Sequence, residues 1–122
     1  MWLAAEPANI SPKARAAIRR ALASGGLAIA SISVWEMAML FARGRIRSAG
    51  TTESALARIL EATAISVREI TPSIAALATQ FPESFPKDPA DRLIAATARA
   101  ENVPLVTQDD RIRESPLLKT IW

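Results

Sequence analysis

The chain has neither cysteine nor histidine among its 122 residues. That rules out disulfides, a zinc site built from the usual sulfur and imidazole ligands, a thiolate nucleophile and an imidazole base. Any chemistry must run on carboxylates, hydroxyls, lysine, arginine or a bound metal. Having no cysteine also suits a reducing, cytoplasmic setting. Aromatic residues are few, at 5%, and Trp2, Trp35 and Trp122 read as core or interface anchors rather than as a platform for nucleic-acid bases. Charge of either sign is not in large excess: 15 basic and 12 acidic residues leave +3, carried mostly by arginine. That permits a polyanionic substrate or an acidic protein partner and demands neither.

A membrane-spanning run is also missing. The most apolar stretch, residues 21–42, is divided by Gly25, Gly26, three serines and Glu36, so a buried strand followed by a helix explains it better than lipid does. Residues 1–5 lack the basic start and apolar core of a signal peptide. What the sequence does have is enough apolar content, half of all residues, for one domain spanning 1–122 with a core of its own.

Strands and helices alternate along the chain. Ser11-Pro12 predicts a capped helix running to Gly25, with Ala14, Ile18, Ala21 and Leu22 on its buried stripe. A short interior strand is expected over 27–31 and a helix over 33–41, closed by Gly44. After a linker at 45–51, Leu56, Ile59, Leu60 and Thr63 mark another helix, and 65–70 reads as a strand. Thr71-Pro72 opens a helix using Ile74, Leu77, Ala78 and Phe81, and the three prolines of 82–89 force a loop. Asp88-Pro89 opens the next helix, whose inward face uses Leu93, Ile94, Thr97 and Ala98. A strand at 103–107, a loop or short helical turn at 108–114, and a final strand carrying Leu117, Leu118, Ile121 and Trp122 complete an α/β domain with parallel strands.

Three carboxylates stand at the ends of these elements. Glu36 follows the first strand and lies three residues after Ser33, a spacing that also fits a capping box. Asp91 falls in the first turn of the helix that Asp88 can cap, where the helix dipole keeps a carboxylate ionised. Asp109 follows the strand at 103–107, and Asp110 beside it can cap the next turn. In an open parallel sheet, sites form outside the carboxyl ends of the strands. Three acids converging there would repel one another unless a cation sat among them, and all-oxygen ligation suits magnesium or manganese. Phosphodiester hydrolysis is the reaction such a site most naturally supports. Thr107 and Ser33 either position water and ligand carboxylates or serve as strand-end and cap hydrogen-bonders. Arg43, Arg45 and Arg47 form a basic corner suited to substrate phosphates, or a solvated helix end. Arg92 either points toward phosphate or pairs with Asp88.

The segments SISVWEMAMLFARGRI, KDPADRLIAATA and PLVTQDDRI together resemble three signature segments of PIN-domain ribonucleases, especially the VapC-type toxins of bacterial toxin–antitoxin pairs. The resemblance implies a three-layer α/β/α domain with a central parallel sheet. It also implies a magnesium- or manganese-dependent endoribonuclease acting on RNA, restrained by a small antitoxin protein and assembled as a homodimer. It makes Glu36, Asp91 and Asp109 the second, third and fourth acids of the metal cluster, and gives Asp88 and Asp110 supporting places. The likeness departs at the start. The family opens on a mid-sheet strand ending in an aspartate, and this sequence enters the pattern after it, with Trp2 and Leu3 already in the following helix and Glu6 too late to substitute. An N-terminally truncated domain of weakened activity is therefore expected. The alternative is a non-catalytic PIN-like remnant that acts as a protein-interaction module.

Overall fold

Serine before proline starts the first described helix: Ser11, with extended backbone, accepts the Ala14 amide on its hydroxyl at 3.0 Å, and Pro12 takes the first helical position. The structure, a computed structural model, describes residues 10–24, 26–47, 49–63 and 65–122. The readings of Trp2, Leu3, Glu6 and Gly25 lie outside the described residues. Helix α1 is Pro12–Ala23 and strand β1 is Ala28–Ala30. All three residues of β1 are buried, and the chain enters helix α2, Ser31–Ala42, with no intervening loop.

This junction corrects the expected cap. Helix α2 begins two residues earlier than the spacing predicts, Ala30 occupies the capping position, and no side chain among the described residues caps the helix. Ser33 lies inside the helix and is buried. Because β1 must stay buried up to Ala30, the turn into helix comes before Ser33, and the capping box with Glu36 does not form. The far end of α2 behaves as expected: Arg43 is the C-cap, and Gly44 follows with φ +71°, a conformation glycine adopts without a Cβ penalty.

Helix α3, Thr52–Thr63, leads to strand β2, Ser66–Arg68, which lies parallel to β1 with Ala28 opposite Ser66 and Ala30 opposite Arg68. Helix α4, Pro72–Ala78, is capped by Thr71, and helix α5, Pro89–Glu101, by Asp88, whose Oδ1 accepts the Ala90 amide at 3.0 Å. Asn102, at φ 52°, closes α5. Strand β3, Leu105–Val106, pairs in parallel with β4, Thr120–Ile121, and the short helix α6, Asp110–Arg113, lies between them in sequence. The fold class is α/β, as expected. Among the described residues, however, the strands form two parallel pairs, β1 with β2 and β3 with β4, rather than one continuous central sheet. No described strand bonds to both β1 and β3.

The main core lies where α4 meets α5. Ala95, Ala96 and Ala98 present so little side chain that α4 approaches closely, and Ile74, Ala78, Leu105 and Ile112 fill the space around them. Phe81 and Phe85 stack with ring centroids 4.3 Å apart. Within this proline-rich segment the Phe85 amide donates to the Pro82 carbonyl at 3.0 Å, and Arg92 of α5 serves that carbonyl and its neighbours. Its guanidinium donates to the carbonyls of Phe81, Pro82, Phe85 and Pro86 at 3.1, 3.2, 3.4 and 2.8 Å. Arg92 therefore gives four of its five N–H donors to the backbone, and among the described residues it makes no ion pair with Asp88. A second cluster joins Ala14 and Val106 with Ile10, Ile18, Ile121 and Trp122, so Trp122 is an anchor. Trp35 is exposed and takes no part in the core. Among the described residues, no helix is long and apolar enough to cross a membrane.

Candidate active site

Position along the chain explains how the acids come together. Glu36 projects from the second turn of α2, just beyond the carboxyl end of β1. Asp91 is in the first turn of α5, and α2 and α5 pack against each other and against β1. Asp109 follows β3, which lies in the same core as α5.

Electrostatics link Glu36 to Asp91 and Asp91 to Asp109. The Glu36 carboxyl is pushed above the usual carboxylate range, first by burial and then by the charges of Asp91 and Asp88. Asp91 is raised as well, first by burial, then by Asp88 and Asp109, with Arg111 acting in the opposite direction. Both side chains hold charge where it is poorly solvated and repelled by like charge, the condition a bound cation would relieve. Glu36 Oε1 is also buried and has no hydrogen-bond partner among the described residues. A buried carboxylate oxygen left unpaired is costly in a folded protein and marks a place where something else binds.

The remaining sequence candidates divide into groups. Asp109 spends Oδ1 on capping α6, accepting the amides of Arg111 at 2.9 Å and Ile112 at 3.2 Å. The cap that Asp110 was expected to provide is therefore made by Asp109. Asp110 is instead the first residue of α6 and pairs with Arg113 at 3.4 Å. Thr107 accepts the Asp109 amide on its hydroxyl at 3.2 Å and so fixes the turn that carries Asp109. Asp88 caps α5 and adds its charge to the field felt by Glu36 and Asp91. Arg43, Arg45 and Arg47 are exposed beyond the end of α2. Arg43 stands seven residues from Glu36, on the same face and about 10 Å along the axis. Arg47 lines a separate cavity of about 320 Å³ with Phe41, Thr51 and Thr52. The cation that acts on Asp91 is Arg111, which sequence reasoning missed. Its signal was available, since an arginine two residues past the acid after a strand falls on the turn that Asp109 caps.

Oxygen is the only ligand chemistry here, which fits a hard divalent cation and not zinc or copper. Among the described residues no three acidic side chains are gathered as a ready-made metal cage. The fit is that of a half-buried pair, Glu36 and Asp91, with Asp88 and Asp109 contributing charge from beside it.

A family model described as PIN domain matches residues 3–116. The chain is similar to Ribonuclease VapC22 of Mycobacterium tuberculosis, 43% identical over 123 aligned positions that cover 99% of this chain and 91% of that protein.

Proposed function

The chain belongs to the PIN-domain family, among its VapC-type ribonucleases, and on that premise we propose that it is an endoribonuclease hydrolysing RNA phosphodiester bonds with magnesium or manganese. The observation that carries this reading is the buried, unpartnered Oε1 of Glu36 in the field of Asp91 and Asp88. Glu36 and Asp91 would hold the ion, with Asp109 completing the acidic wall. When bound, the ion supplies the positive charge that activates a water and stabilises the phosphate. Thr107 keeps the Asp109 turn in place, and buried Ser33 packs one turn before Glu36 on α2. Arg43 and Arg111 are the cations placed to meet substrate phosphates, with Arg45 and Arg47 further along the strand's path. As a toxin of this type it would pair with a small antitoxin protein and form a homodimer.

The test is RNA cleavage with and without magnesium, by this chain and by Glu36→Gln. Cation-dependent cleavage that falls by about a hundred-fold or more in the variant supports the reading. Cleavage indifferent to the substitution defeats it.

Two observations favour a second reading, a non-catalytic PIN-like interaction module: among the described residues the acids are not gathered as a cage, and Asp109 is partly spent on a helix cap. Manganese titration by calorimetry separates the two, since heat of binding that disappears in Glu36→Gln belongs only to the enzyme.

A further inference from the structure

Among the described residues, Trp35 is the most exposed large apolar side chain, at 55%. It immediately precedes Glu36 on α2, and successive helical residues are turned about 100° from each other. Glu36 is half-buried and Trp35 exposed, so Trp35 lies on the solvent side of Glu36. Ile32 and Met39, three residues before and four after, share its face and are half-buried. The indole therefore stands on a small apolar strip beside the acidic pair, and the exposed Arg43, Arg45 and Arg47 follow at the end of the same helix.

Size and charge indicate what covers this strip. A stable protein footprint needs about 800 Å² per partner, whereas the other large exposed apolar residues lie off α2: Leu22 on α1, Val67 on β2, and Ile46, Ile70 and Val103 in loops. One ring flanked by two side chains matches a single nucleobase, and the arginines beyond it match a polyanionic backbone.

We propose that Trp35 is a base-stacking residue that holds an unpaired RNA base next to the scissile phosphate, and so sets which strand conformations the site accepts. This rests on the nuclease reading above. Stacking on an aromatic face tolerates any base, so Trp35 adds affinity with little preference for sequence.

The experiment uses the Glu36→Gln chain, so that RNA is bound and not cut, with a short unstructured RNA oligonucleotide. Of the three tryptophans, Trp2 and Trp122 are replaced by phenylalanine, leaving Trp35 as the only indole. The expected results are quenching of its fluorescence by the RNA, and a Kd raised roughly ten-fold or more by Trp35→Ala and largely restored by Trp35→Phe. A ribose-phosphate oligomer without bases should bind equally well with and without the Trp35→Ala substitution. If Trp122→Phe prevents folding, the Kd comparison in the chain that keeps Trp2 and Trp122 decides. An unchanged RNA affinity in Trp35→Ala overturns the proposal, and so does an effect confined to dimer dissociation or antitoxin affinity, which would mark the strip as a protein contact. Either result leaves the nuclease reading standing. Failure of the parent and of the Glu36→Gln chain alike to bind any RNA overturns both.

Discussion

Glu36 on α2 lies within the field of Asp91 on α5, and the charge of Asp91 helps to raise the Glu36 carboxyl above its usual range. Neither carboxylate has an ion-pair partner among the salt bridges of the described residues, which join Arg68 to Glu101 and Arg113 to Asp110. Arg111 offsets part of the repulsion on Asp91, and burial is the leading cause of the shift at both acids.

The first expected outcome concerns pH. Both folded pKa values lie above their ordinary values of 4.5 and 3.8. Between ordinary and raised values the folded state therefore binds more protons than the unfolded state, and stability falls as pH rises through that window. In EDTA, the Tm should decline from mildly acidic toward neutral pH, and Glu36→Gln or Asp91→Asn should flatten the decline. A parent Tm that rises over this interval, with the variants following it, would contradict the raised values.

The second concerns cations. An ion that binds the folded state alone stabilises it by about 2.7 kcal/mol at a hundred times its Kd. Magnesium or manganese should therefore raise the Tm of the parent at neutral pH and leave that of Glu36→Gln or Asp91→Asn nearly unchanged. Equal rises in all three proteins would place the ion elsewhere.

The third separates two duties of Asp109. Asparagine caps a helix about as well as aspartate, whereas alanine loses about 1 kcal/mol at such a position. Asp109→Asn should melt close to the parent yet lose cleavage, and Asp109→Ala should lose both. Full cleavage by Asp109→Asn would reduce the residue to its cap.

The fourth concerns Arg92. Lysine has a compact ammonium and cannot meet four carbonyls in the plane that a guanidinium spans. Arg92→Lys should cost about 2–4 kcal/mol, with carbonyls of Phe81, Phe85 and Pro86 losing the donor that Arg92 supplies, measured by urea denaturation. RNA affinity per folded molecule should not change. A stable Arg92→Lys with weakened RNA binding would return Arg92 to the phosphate site.

The fifth concerns Arg111. A lost phosphate contact reduces the slope of log affinity against log salt by about 0.7 for single strands. Arg111→Ala should show that reduction in RNA binding, measured at several salt concentrations. An unaltered slope would leave Arg111 as a neighbour of Asp91 alone.

Much of this architecture was readable because its causes are local. The hydroxyls of Ser11 and Thr71 and the carboxylate of Asp88 reach amides two or three residues away, and the proline after each sets the first helical angle. Those three helix starts fall where the sequence put them. The start of α2 did not, because it depends on how far β1 stays buried beside β2, a pairing across the chain. That displacement removed the capping partner expected for Glu36 and left its Oε1 unpaired. Arg92 was undecidable for a similar reason: its acceptors are carbonyls that turn toward α5 only after the proline-rich loop has packed.

By itself the sequence determined that any site here must use oxygen ligands, since it has no histidine or cysteine, and that its acids stand at element ends, since caps and prolines act over a single turn. Only the tertiary structure decided which acids share a field, which oxygen is left without a partner and which arginine is already spent. Those outcomes depend on burial and on charges brought together by packing, and no short stretch of chain contains either.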